Sequence, residues 1–535
     1  MKRRAMICVE DPTKSLRSRG PVKTMSDCSR IPKVWPILLA GILFWGLLSF
    51  WGCQKPLPEL NPDRYAASAP EKYYKSDTKP KQTPPPPIEK NTTLSPENLN
   101  PPARRLTLTD LVDVALRINP STQSTWEQAR ATAADWASSR GAYYPTLSGD
   151  ASGYGLGGDS SSAYYGTVSL SLNYLLFDFG GRAATVESAR QALMAANWNH
   201  NQSIQDILRN VPQAYYTYIG NQAQVRASES DLEEALTSLK STEQRKKAGV
   251  STIADVLQAR SRVDQVRLDL VSNRGAVKIS RGNLATAVGW PANADFDVAE
   301  GPEDLPLKAI AENTQTLIGL ALRDRPDLSA ARAAVRQSQA ELKKAESALW
   351  PRLVATGNAG WSGIDANLDA STYLDSGGNI SSSGTSFYGG LSLQIPLFEG
   401  FSLRNNIRSA EAKLKAKRAD LRKKEESVIS DVWNAFYNMQ TAAQQVESSE
   451  TLLISSKESF QVSLARYRAG VANIVELLNA QSTLTFARTQ RVQAQTDLFI
   501  SYAELLHAIG AELPVDALKS MNMSQTNREV SANGR

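Results

Sequence analysis

The chain repeats itself. Gly470 lies 221 positions after Gly249, and the same spacing sets Val471 on Val250 and Leu478 on Leu257. The match continues without a gap through Ala435-Phe436-Tyr437 on Ala214-Tyr215-Tyr216, Phe398 on Phe177 and Gly510 on Gly289. Further upstream a spacing of 206 sets Ala321-Leu322-Arg323 on Ala115-Leu116-Arg117, and Trp350-Pro351 on Tyr144-Pro145. The second copy therefore holds 15 extra residues between 351 and 398. A unit of about 200 residues is much longer than the repeats of solenoids, which run about 20 to 50. The chain is one unit duplicated, not an array.

The two best-matched stretches are RKKAGVSTIADVLQAR (245–260) and RYRAGVANIVELLNAQ (466–481). Each has long helical sequence on both sides and a Gly at its centre. Gly just past a helix adopts the left-handed conformation without a Cβ penalty, so each stretch reads as the tip of an antiparallel helical hairpin. The descending helices, 181–248 and 402–469, are each about 100 Å long at 1.5 Å per residue. Pro212 predicts a kink or restart in the first. The returning helices carry heptads: Leu477, Leu484, Leu498 and Leu505 at one position, Ala480, Ala487, Ala494, Ser501 and Ala508 at another. Val256, Val263, Leu270, Val277 and Leu284 repeat the pattern in the first copy. Sevenfold spacing with small residues at one seam position predicts close coiled-coil packing.

Between the helices the period changes to two. Val168, Leu170, Leu172 and Tyr174 alternate with Thr167, Ser169, Ser171 and Asn173; Leu391, Leu393 and Ile395 alternate with Ser392 and Gln394. These are strands with one apolar and one polar face. Four are expected, at about 146–156, 164–176, 353–363 and 386–397, with the insertion forming an exposed loop at 364–385. Upstream, Thr109 or Asp110 is a candidate cap for a helix running to Asn119, and Pro120 opens the next.

The ends read differently. Ile37–Trp51 is apolar, follows Arg30 and Lys33, and precedes Gly52-Cys53. It is shorter than the ~20 residues that span a bilayer and reads as a secretory signal covering 1–52, with Met25 an alternative start. Residues 54–104 hold twelve of the 26 prolines, which predicts an extended tether over 53–104 without a core of its own. Two repeats over 105–290 and 317–511, a linker over 291–316 and a disordered tail over 512–535 complete the expected organisation.

Composition excludes several classes of function. Residues 1–33 hold nine basic and three acidic residues, the whole of the net charge of +6. The remainder is neutral, so nucleic acid is not an expected partner. Two histidines, and one cysteine after the apolar segment, leave little for a transition-metal site. No catalytic constellation and no cofactor motif is present: there is no phosphate loop, no activated nucleophile and no His cluster.

Two amphipathic hairpins give four strands, and four cannot close a membrane barrel, whose smallest forms have about eight. Open edges are not viable in lipid. Several copies must share one barrel, and a homotrimer supplies twelve strands. The expected fold is mixed α and transmembrane β: duplicated long-helix hairpins plus four β-strands per chain, a trimer forming a 12-strand β-barrel on an α-helical barrel.

The helix–strand–strand–helix duplication, the Tyr-Pro and Trp-Pro steps, the turns Phe177-Asp178-Phe179-Gly180 and Phe398-Glu399-Gly400, and the paired tips together resemble the TolC-like outer-membrane efflux protein family. The likeness is greatest to its lipid-anchored branch, and it covers about residues 105–511. It implies a passive trimeric exit duct of a tripartite efflux pump, for transmembrane export of small molecules across outer membrane and periplasm. The duct would work with a separate periplasmic adaptor protein and inner-membrane transporter. By the same resemblance Gly52-Cys53 is a lipoprotein box, with Cys53 lipidated and seated in outer membrane lipid, although Phe50 and Trp51 depart from the usual residues there.

In the family the tips close like an iris and carry acidic rings. Carried over by position, Glu476 and Asp255 are gate acids, and Asn479 falls where some members have a second acid. Ala472 stands where some members have a locking Arg, so the gate is expected to be looser or differently fastened. Gly249, Val250, Gly470 and Val471 are the expected adaptor contacts. Against these stand the simpler readings of a solvated helix face and a plain turn. Arg245, Lys246, Lys247, Arg466 and Arg468 make the tips basic, as adaptor contacts or as solvated charge. A type I secretion duct is the nearest alternative, and a non-pore, envelope-tethered coiled-coil scaffold the more distant one.

Overall fold

The computed structural model describes residues 62–75, 105–158, 161–299, 313–368 and 378–510. The expected signal segment, Cys53 and the tail lie outside them. The order is α1 (Leu108–Ile118), α2 (Pro120–Arg140), β1 (Thr146–Gly157), β2 (Ser161–Phe177), α3 (Gly181–Lys247), α4 (Ile253–Val288), and then the same series again. The second series is α5 (Thr314–Asp324), α6 (Pro326–Ser347), β3 (Arg352–Leu368), β4 (Gly378–Gln394), α7 (Ser402–Ala469) and α8 (Ile474–Ala508).

Local sequence sets the helix ends. α1 starts one residue after Thr107, not at Thr109 or Asp110. Thr107 caps the Asp110 amide, and the Asp110 carboxylate returns to the Thr107 amide. Asn119 caps α2 with Pro120 at its first position. Pro212 does not restart α3, which continues through it as one helix. Val211 and Tyr215 beside it are buried in the first core, and that packing offsets the lost backbone bond, which costs about 3 kcal/mol in an isolated helix.

The duplication reappears as two cores of equivalent residues. Leu111, Val112, Ala115, Ile207, Val211 and Leu284 lie in one; Leu317, Ile318, Ala321, Val428, Val432 and Leu505 lie in the other. Each is closed by a glycine. Gly289 (φ +104°) and Gly510 (φ +71°) end α4 and α8, where a Cβ would come within 3.1 Å of the Asn119 Cα and 3.2 Å of the Arg325 Cα. Below the cores the apolar seams are those of the heptads: Leu477, Leu484, Leu498 and Leu505 are all buried, as are Val256, Val263, Leu270 and Leu284. Side by side, the long helices run α4–α3–α8–α7, leaving α4 and α7 at the free edges.

The strands form one antiparallel sheet in the order β1-β2-β3-β4. Val168 pairs with Ala151 and Trp361, and Leu170 with Ala359. This face is apolar and fully open: Leu170, Phe387 and Leu391 are 54, 88 and 70% exposed. The opposite face carries Ser152, Thr167, Ser171 and Asn358, hydrogen-bonded across strands. β2, β3 and β4 have 17 residues each, against the 9–11 that cross a bilayer. Most of the insertion expected as a loop at 364–385 instead prolongs β3 and β4, which pair down to Leu368 and Gly378. The polar, Ser-rich run after Gly378 continues the ladder because backbone pairing does not depend on side-chain polarity.

At the strand-to-helix turns Phe179 (φ +51°) and Phe401 (φ +64°) take left-handed backbone, uncommon for a bulky residue. Phe179 stacks on Trp350 at 5.2 Å, and Phe401 meets Phe398 edge-on at 5.5 Å. The strain places an aromatic cluster at the lower margin of the sheet.

Residues 62–75 are not a free tether. Pro62–Tyr65 is a 3-10 turn, Ala66 and Ala67 are buried, and the Tyr65 ring meets Trp136 edge-on at 4.6 Å. Trp126 Nε1 donates to the Ala67 carbonyl (2.8 Å) and Asn197 Nδ2 to the Tyr65 carbonyl (2.8 Å). Asn201 both accepts from the Tyr74 amide (2.7 Å) and donates to its carbonyl (2.9 Å). Prolines prevent a core within the segment but not its docking, as a strap, on α2 and α3. The tyrosines supply the anchor.

Candidate functional site: the paired hairpin tips

Both reversals are built alike. Gly249 (φ +78°) follows α3 and Gly470 (φ +84°) follows α7, and the next amide returns to the helix, Val250 to the Arg245 carbonyl and Val471 to the Arg466 carbonyl, each at 3.0 Å. Val250 and Val471 are left 62 and 67% exposed. Thr252 then caps α4 and Asn473 caps α8.

The acids expected at the gate are placed unequally. Asp255 closes its own capping box, accepting from the Thr252 amide and the Ser251 hydroxyl (2.8 Å each). Those bonds hold its carboxyl below the usual carboxylate range. Glu476, at the equivalent position, is turned instead to Arg466: Nη1 donates to Oε1 at 2.8 Å. Asn479 is exposed, with its side chain unengaged among the described residues. Ala472 packs into the apolar cluster around Leu477. The Arg466–Glu476 pair thus stands in a tip that has no basic residue at 472.

Sequence reasoning named Arg245 only as part of the basic tips and missed that it joins them. Arg245 is the equivalent of Arg466, yet it leaves its own hairpin. Its Nη1 donates to the Tyr467 carbonyl (2.7 Å) and the Arg468 carbonyl (3.3 Å), and its guanidinium lies 4.9 Å from the Tyr467 ring centre. The Tyr467 hydroxyl in turn donates to Thr242 Oγ1 at 3.2 Å. Carbonyls at a helix C-terminus are orphaned acceptors with partial negative charge, so the cation is well placed. The one available signal was a difference between copies: Tyr467 matches Lys246, so only one arginine finds an aromatic shelf.

Above the tips the hairpins meet through polar groups. Arg488 of α8 pairs with Asp231 and Glu234 of α3, Gln224 donates to Thr489 (3.0 Å) and Arg262 to Thr485 (3.0 Å). Burial pushes the Asp231 carboxyl above its usual range, with Arg488 opposing. The hairpins thus meet through polar groups here, and through apolar contacts elsewhere, such as Tyr216 stacked on Phe499 at 4.5 Å.

The chain is similar to known proteins in sequence and fold. A sequence profile of the family described as "Outer membrane efflux protein" matches residues 111–290 and 317–511. Protein CyaE of Bordetella pertussis is 28% identical over 422 residues, covering 77% of this chain and 86% of its own. Outer membrane protein OprJ of Pseudomonas aeruginosa is 26% identical, covering 75 and 83%. The solved structure of the outer-membrane channel OprN superposes with a TM-score of 0.64 at 23% identity, over 76% of this chain and 90% of that one.

Proposed function

This chain belongs to the outer membrane efflux protein family, and from that membership we propose how its copies close into a passive exit duct across outer membrane and periplasm. The reading rests chiefly on the edges. The sheet ends at β1 and β4 and the helix layer at α4 and α7, and a sheet in lipid tolerates no edge. Four strands per copy make twelve from three copies, enough to close a membrane barrel. Nearer the sheet the helices run α2–α3–α6–α7, and the two edges there suit each other: Ser124, Ala131, Ala134 and Ser138 form an exposed small-residue row on α2, and Ala412, Ala416 and Ala419 one on α7. Small residues admit close axes.

In this duct the tips form the periplasmic entrance. Glu476 near a threefold axis favours cations, and its fastening to Arg466 together with the Arg245 clamp sets the aperture. The exposed Val250 and Val471, with Gly249 and Gly470, offer the apolar contact for a periplasmic adaptor, which links the duct to an inner-membrane transporter. The family is one of ducts rather than enzymes. The exported molecules are small, as in efflux rather than type I secretion.

Mass measurement of the purified particle tests the closure. Three copies are expected, with single-channel steps in planar bilayers, and Ala416→Trp on the small-residue row is expected to yield monomers without steps. A folded wild-type monomer would exclude the duct and favour the scaffold.

A further inference from the structure

The upper part of α7 is basic where its equivalent in α3 is not. Arg404, Arg408, Lys415, Arg418 and Arg422 lie on one face, with Glu411 the one acid among them, and all are exposed; the matches of the five on α3 are Ala183, Glu187, Met194, Asn197 and Asn201, and that of Glu411 is Arg190. None of the five makes a hydrogen bond or ion pair among the described residues. The α3 face is occupied. Asn197 and Asn201 hold the backbone of residues 65–74, and Met194 accepts from the Tyr74 hydroxyl at 3.1 Å. The duplication thus provides a second helix face at the equivalent position, furnished with guanidinium and ammonium groups where the first has amides.

We propose that this face of α7 is a docking site for an extended, carboxylate-bearing peptide segment of a partner protein. Two observations select that occupant. The equivalent seat receives a peptide segment through side-chain donors to its carbonyls, and Arg418 and Arg422 present more donors from the same positions, in a fork that suits carboxylates. The row also runs about 27 Å along the helix. With the sheet in the bilayer, Lys415 lies about 20 Å below the start of α7, beyond headgroup layers about 5–8 Å deep. Lipid phosphates reach Arg404 and Arg408 only, whereas an extended peptide of about ten residues covers the row. The alanine row that faces the next copy lies on the neighbouring side of α7, so closure of the ring leaves the basic row open.

The test is fluorescence anisotropy of a fluorescein-labelled peptide of alternating Glu and Ser, about ten residues long, titrated with the full-length protein in neutral detergent. Saturable binding is expected. It should weaken about tenfold or more in Arg418→Asn/Arg422→Asn, which installs the residues of the equivalent seat. It should be unchanged in Lys246→Asn/Lys247→Asn, which removes the same charge at a tip. Equal weakening in both variants would reduce the effect to diffuse charge and overturn the proposal. Absence of binding would overturn it too. So would displacement of the peptide by phosphatidylglycerol vesicles but not phosphatidylcholine vesicles, which would assign the row to lipid.

Discussion

The Arg245 guanidinium donates to the Tyr467 carbonyl oxygen at 2.7 Å, from the end of one hairpin into the end of the other. Among the described residues it is the lowest polar link between the two hairpins. Arg245→Ala removes it and leaves both helix caps in place. The unitary conductance of the variant in planar bilayers is expected to rise about twofold or more. Arg245→Lys keeps the charge but not the fork and should fall between. Steps identical to wild type would place the constriction elsewhere.

Glu476 and Arg466 should act with opposite signs. Glu476→Gln removes a carboxylate from the tip and is expected to lower cation selectivity. Arg466→Gln frees the same carboxylate from its partner at 2.8 Å and should raise it. Reversal potentials in a salt gradient read both. Two shifts of the same sign would exclude this pair as the selectivity element.

Arg488 neutralises two acids at once, and the Asp231 side chain is only 3% exposed. Arg488→Met strands a buried carboxylate and should cost about 3 kcal/mol, seen as a lower thermal midpoint. Adding Asp231→Leu should restore most of the loss, because removal of both buried charges is close to neutral. A double variant no more stable than the single one would show that the pair does more than neutralise itself.

Asp327 sets an acid limit. Burial alone would raise its carboxyl, but Arg325 and Lys424 hold it at about 2, from 3.8. A carboxylate depressed in the folded state contributes stability above its unfolded pKa and loses it as pH falls toward the folded one. The contribution is about 2 kcal/mol. It should be complete above about pH 4 and disappear toward pH 2. Asp327→Asn should flatten that part of a thermal-midpoint profile, and an unchanged slope would assign it to other groups.

Much of this was legible in the sequence because duplication supplies its own comparison. Gly249 and Gly470 marked the tips, the leucine heptads marked the buried seams, and period two marked the strands. What escaped depended on packing between distant segments. Pro212 looks like a break until Val211 and Tyr215 are seen to be buried. The strap looks like a tether until Tyr65 meets Trp136. Arg245 and Arg466 sit in matching contexts, and only the neighbouring hairpin decides which one crosses. The polar seam did leave a trace: Asp231 and Glu234 match Leu452 and Ser455, a charge in one copy where the other has none.

The 221-residue spacing also has an evolutionary meaning. In a ring of six separate single-repeat subunits, any change at a tip would appear six times and would have to suit every position together. Fusion of two repeats into one polypeptide lets a change enter every second tip. The exchange of Lys246 for Tyr467 between copies is such a change. With Lys246 in one copy and Tyr467 in the other, two matching tips act as a giver and a receiver, a division of labour that identical repeats would not allow.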